Sequence, residues 1–213
     1  METQLKLSQS LDALMDVFQI KEIKKCVHLD KLLSVNPHKL KPAYQEILDT
    51  LLEEIQDKGD QWNEEELKMK FLALLFFISE MEAKGIIQAF YERPLSMTYQ
   101  GHKINVKTDC MVATPLGKNT PREPYFFLQE FKKGRGDKHD PEAQMLAAML
   151  IALHRNKDKR PLFGAFIVGK NWVFACLNGQ EYCRSRQYDA SVEEELLQIV
   201  FILRHLKDLI LNR

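Results

Sequence analysis

Three residues of this chain have types and spacings that could do chemistry on a phosphate: Asp109, Glu130 and Lys132. Asp109 interrupts a segment that otherwise reads as a strand. Ile104, Val106, Thr108, Cys110 and Val112 fall on one face, and Asn105, Lys107, Asp109 and Met111 on the other. Glu130 and Lys132 lie at the end of the apolar run from Tyr125 to Phe131. Residues two apart on a strand project to the same side, so this carboxylate and this ammonium emerge together. At the end of a buried strand such charges need pairing or a metal. Two carboxylates converging from neighbouring strands form a hard-oxygen site suited to Mg²⁺ or Mn²⁺. A lysine beside them can orient a water and stabilise charge on a phosphate. Either element alone is ordinary, since a Glu-x-Lys pair on a strand is commonly just solvated.

The elements that must position these residues follow from periodicity. The first 93 residues read as helical. Leu11, Leu14, Met15 and Phe18 recur at helical spacing. A second helix is expected from about Lys41 to Ile55, with Pro42 in its first turn. Asn63 and Glu66 are spaced as a capping box, opening a helix expected to reach about Lys84. After Pro94 the period changes to two strands within 95–113, turned at Gln100-Gly101. Residues 114–124, with three prolines and a glycine, read as a loop before the strand at Tyr125. Asp140-Pro141 is a helix entry, and that helix carries Gln144 near its start and runs to about Arg155. A hairpin follows, with strands 162–168 and 172–177 turned at Gly169-Lys170-Asn171. Ser191 and Glu194 are spaced to open a last helix from Val192 to about Asn212. The order predicts a mixed sheet covered by helices, an α/β or α+β fold.

The succession is more specific than its parts. The texts KTDCMVATP, YFFLQEFKK, DPEAQMLAAMLIALHRN and PLFGAFIVGKNWVFACLNG give an Asp strand, a Glu-x-Lys strand, a Gln-bearing helix and a hairpin. In this the chain resembles the PD-(D/E)XK nuclease superfamily over roughly residues 64–190, and especially uncharacterised bacterial members of it. The resemblance implies a restriction-endonuclease-like core. It further implies that Asp109 and Glu130 bind Mg²⁺ or Mn²⁺, with the backbone carbonyl of Phe131 as a further ligand. Lys132 would position and activate the attacking water. Gln144 would support the site or touch nucleic acid, DNA being the expected partner. The family often adds a helix glutamate, for which Glu80 in FFISEMEAKG is the first choice and Glu82 the rival. Thr108 stands where the superfamily name has proline. The implied activity is metal-dependent phosphodiester hydrolysis. The alternative is a catalytically silent member acting as a nucleic-acid-binding or assembly module.

Residues 1–62 lack such a match and are expected to form an N-terminal helical extension, with 63–213 as the core domain; the extension could also form a homodimer interface. Net charge is zero, but it is unevenly spread. Residues 1–98 hold 12 Lys/Arg against 17 Asp/Glu, and residues 99–190 hold 15 against 9. A basic middle segment suits a polyanion. Lys133, Arg135 and Lys138 directly after the Glu-x-Lys strand could hold a nucleic-acid backbone, or form a solvated loop. The histidines have no zinc-motif spacing, and only His139 lies close to the proposed site in sequence. Trp172 and Phe174 could stack on bases, though packing is the commoner role. There is no phosphate-binding glycine motif and no nucleophile elbow. No apolar run is long enough to span a membrane. Four cysteines without metal spacing suit reduced thiols and a cytoplasmic setting.

Overall fold

A computed structural model describes residues 7–117, 120–132 and 140–212. Lys133, Arg135, Lys138 and His139 lie outside the described residues. The protein is a mixed α/β structure built on one seven-stranded sheet. Its strands are β1 (Lys21–Glu22), β2 (Gln88–Tyr99), β3 (His102–Leu116), β4 (Thr120–Lys132), β5 (Leu162–Val168), β6 (Asn171–Asn178) and β7 (Glu181–Asp189). Their spatial order is β1-β7-β6-β5-β4-β3-β2. β1 with β7 and β4 with β5 run parallel, and the other neighbours are antiparallel.

Helices cover both faces. α1 (Leu11–Phe18) and α6 (Pro141–Arg155) pack on one, burying Leu14, Phe18, Met145, Leu146 and Met149 against Met111 and Leu177. On the other lie α2 (Val27–Leu33), α3 (Pro42–Lys58), α5 (Ala73–Ile78) and α7 (Glu193–Leu211), packed over Phe127, Phe131, Phe174 and Trp172. α5 continues end to end from α4 (Glu64–Glu66) through a π-helical stretch, Leu67–Leu72. The expected N-terminal extension shares this core. Leu29, Leu48 and Ile55 belong to the same cluster as Phe127, and β1 joins the sheet. The apolar face of α3 is therefore buried within the chain. Trp172 and Phe174 are fully buried, so they pack and do not present a stacking surface.

Several boundaries differ from expectation for physical reasons. The helix opened by Asn63 has both halves of its capping box, but it ends at Ile78 and not near Lys84. Ser79 Oγ donates to the Leu75 carbonyl at 2.7 Å, and Glu80 takes φ +52°, a left-handed stop. β2 begins at Gln88, six residues before Pro94. It is the sheet's edge strand, where proline's missing N–H leaves no ladder partner wanting. The proline-rich loop is a hairpin extension in which Pro115 pairs with Pro121. The β2 ladder stops at Ala113 and the β5 ladder begins at Phe127, so neither proline has a strand on its outer side. β7 lies where the sequence pattern predicts no strand. Ser191 does not cap the last helix; its hydroxyl donates to Asp189, and Glu195 reaches back to accept from the Asp189 N–H.

Candidate active site

The ladder joining β3 to β4 ends at the pair Cys110–Gln129. Asp109 and Glu130 are the first residues beyond it. The strands part there, while β4 stays paired with β5 as far as Lys132 and Val168. The opening is closed by a side chain: the Phe131 N–H donates to Asp109 Oδ2 at 2.8 Å. N–H and C=O of one strand residue face the same way. The Phe131 carbonyl therefore also faces the Asp109 side, whereas the Lys132 carbonyl accepts from the Gly169 N–H on the β5 side at 2.8 Å.

Asp109 sits in the gap itself, with one oxygen on the Phe131 N–H and the other on Lys68. Phe166, the register partner of Glu130, packs against the α6 cluster. Glu130 is only 1% exposed, and its Oε1 has no hydrogen-bond partner among the described residues. Burial, then the charge of Asp109, push its carboxyl well above the usual range; Lys132 pulls the other way. Asp109 and Glu130 are thus neighbours in a water-poor gap, with Lys132 beside them. Lys132, itself 9% exposed, reaches Glu64 Oε2 at 3.5 Å.

Sequence reasoning missed four groups at this site. Glu64 and Lys68 come from the helix opened by Asn63, on the opposite layer from α6. Lys68 Nζ lies 2.9 Å from Asp109 Oδ1, 3.0 Å from Glu64, 2.9 Å from Glu92 and 3.5 Å from Glu65. Burial works against its charge, but hydrogen bonds to Asp109, Glu92 and Glu64 outweigh that and hold the ammonium above the ordinary lysine value. Glu92 sits on β2 between the pairs Tyr91–Cys110 and Arg93–Thr108, with φ +56°. A left-handed glutamate inside a strand is strained, and its surroundings must hold it there. The one sequence signal was the i,i+4 spacing of Glu64 and Lys68 just inside the capping box.

Glu80 is not at this site. It stands beyond the other end of the helix from Glu64, roughly 20 Å along the axis. There it pairs with Lys41 and Lys207 at 3.6 and 3.5 Å. Burial raises its pKa, but Lys207, Arg204 and Lys41 outweigh this and hold it below the usual value. Glu82 accepts the Ala89 N–H at 3.0 Å. Glu64, and not Glu80, is the helix carboxylate that reaches Lys132. Gln144 lies in the first turns of α6. Its Oε1 is buried without a partner, and no hydrogen bond joins it to Asp109, Glu130 or Lys132 among the described residues.

The donor chemistry is of the kind a divalent cation takes: two carboxylates, that of Glu130 with an orphaned buried oxygen, and a carbonyl facing the same gap. As the side chains stand, no three His, Cys, Asp or Glu groups among the described residues already close on a common metal position. Lys68 supplies the positive charge at Asp109. No protein-family model matches the chain, and no curated protein matches its sequence. Among the described residues no helix is long and apolar enough to cross a membrane.

Proposed function

We propose that this protein hydrolyses phosphodiester bonds in nucleic acid, with DNA as the expected substrate, through a PD-(D/E)XK-type site that uses Mg²⁺ or Mn²⁺. The observation that carries the proposal is the buried Glu130 carboxylate, one oxygen of it without a partner among the described residues, set against Asp109 at the open end of the β3–β4 ladder. An arrangement this unfavourable persists where a ligand completes it. Asp109, Glu130 and the Phe131 carbonyl would hold the cation. When bound, such an ion neutralises charge on the phosphate and lowers the pKa of water. Lys132 projects from the same strand face as Glu130 and places a second positive charge at the reacting phosphate. Glu64, 3.5 Å from Lys132, fixes where that ammonium sits.

The test is nicking of plasmid and cleavage of single-stranded DNA by purified protein, in Mg²⁺ and in EDTA, with Lys132→Ala alongside. Metal-dependent cutting that Lys132→Ala abolishes supports the proposal. Nucleic-acid binding with no metal-dependent cutting under any condition would instead assign the chain as a silent binding module.

A further inference from the structure

Lys68 is a largely buried lysine at this site that the proposed chemistry does not use. Its ammonium makes contacts of 3.5 Å or less with four carboxylates: Asp109, Glu64, Glu92 and Glu65. An ammonium has three protons to donate, so the four acceptors exceed its capacity. Its partners fall into two groups. Asp109 and Glu64 are the inner ones, with side chains 9% and 32% exposed. Glu92 and Glu65 are the outer ones, at 43% and 77%. The lysine can therefore leave Asp109 and remain paired throughout. Two features of the backbone hold this arrangement. Lys68 lies in a π-helical stretch, a geometry that re-aims side chains and recurs at functional sites. Glu92 is kept in a left-handed conformation that directs it toward both Lys68 and Lys107.

We infer that Lys68 is a resident counter-cation of the metal site: it neutralises Asp109 in the metal-free protein and must swing outward, onto Glu92 and Glu65, before a divalent ion can bind Asp109. This rests on Asp109 and Glu130 forming the cation site proposed above. It adds a control on metal occupancy. The protein stays folded and switched off at low metal, and the ion competes with an internal ammonium for the same carboxylate oxygen. The displaced ammonium stays beside the site, where it can meet the phosphate that arrives with the metal.

The experiment is Mn²⁺ binding by isothermal titration calorimetry, with thermal melts in EDTA and in Mn²⁺. The proteins compared are wild type, Lys68→Met and Lys68→Gln; the Gln variant keeps a donor in place should Met not fold. Both variants are expected to melt below wild type in EDTA, because the carboxylates are left unneutralised. Both are expected to bind Mn²⁺ at least about tenfold more tightly, the least that removing one competing charge-assisted hydrogen bond implies. Equal or weaker binding by both variants, with wild type binding Mn²⁺, overturns the inference and leaves the metal site standing. Failure of all three proteins to bind Mn²⁺ removes the metal site itself, and the inference with it. Nuclease activity is not the readout, so a catalytically silent protein still answers the question.

Discussion

Replacing Glu130 by Gln should make the metal-free protein more stable while disabling it. Glu130 is 1% exposed, one of its oxygens accepts no hydrogen bond among the described residues, and the neighbouring Asp109 carries like charge. A buried acceptor without a partner costs about 1–3 kcal/mol. Glutamine has nearly the same shape, cannot ionise, and offers an N–H₂ that can donate to Asp109. The expected gain is therefore about 1–3 kcal/mol. For a chain of this size each kcal/mol moves Tm by roughly 2–4 °C, so Glu130→Gln should melt roughly 2–12 °C above wild type in EDTA. Saturating Mg²⁺ should reverse the order. A ligand at about 1,000 times its Kd stabilises the protein that binds it by about 4.1 kcal/mol, more than the expected gain, and the variant has lost a ligand. Metal-dependent cutting should fall at least tenfold. Thermal denaturation in EDTA and in MgCl₂ reads both effects without reference to activity. If Glu130→Gln melts below wild type in EDTA by more than about 1 kcal/mol, the carboxylate is a satisfied partner of Lys132, and the idea of a site waiting for a cation is wrong.

Glu64→Gln should lower metal-dependent cleavage at least tenfold, whereas Glu80→Gln, at the far end of the helix, should leave it within about twofold; parallel cleavage rates would show the error if the order were reversed. Asn156→Ala should cost about 2–4 kcal/mol in urea melts. Its side chain donates to the Tyr125 carbonyl at 2.7 Å and accepts the Tyr125 N–H at 2.9 Å, so truncation strands two buried backbone groups of β4. A loss below about 1 kcal/mol would mean water replaces both bonds. Glu142 gives a pH signature away from the site. Burial raises its pKa, although the Tyr182 hydroxyl and Arg184, each at 2.8 Å, oppose the rise. A raised folded-state value means its contribution is full below the unfolded value of about 4.3 and is lost as pH climbs through the folded one. The stability of wild type relative to Glu142→Gln should therefore decline from pH 4 to pH 7, and a rise over that range in paired urea melts would contradict it.

The sequence alone determined where chemistry could sit on the strands. Alternation on β3 put Asp109 opposite the face of Cys110 and Val112, and the two-residue spacing of Glu130 and Lys132 put both on one side of β4. These are period-two facts, local to each strand, and the mixed sheet between helical layers followed from the order of elements. The Asn63–Glu66 capping box was equally local and equally legible. What only the tertiary structure decided was who meets whom across layers. Glu80 sat in a convincing helical text, yet the helix runs the other way past the site, so its first turn and not its last delivers the carboxylate. Glu92 could not be read as a site residue, because a left-handed bend inside an edge strand has no local sequence signature outside glycine. Lys68 stood in the sequence as one half of an ordinary i,i+4 pair with Glu64. Only the packing of its helix across the gap between β3 and β4 adds Asp109 and Glu92 to the two glutamates of its own helix. Burial separates a charge from water, and which opposite charge then answers it depends on residues 24 and 41 positions away along the chain.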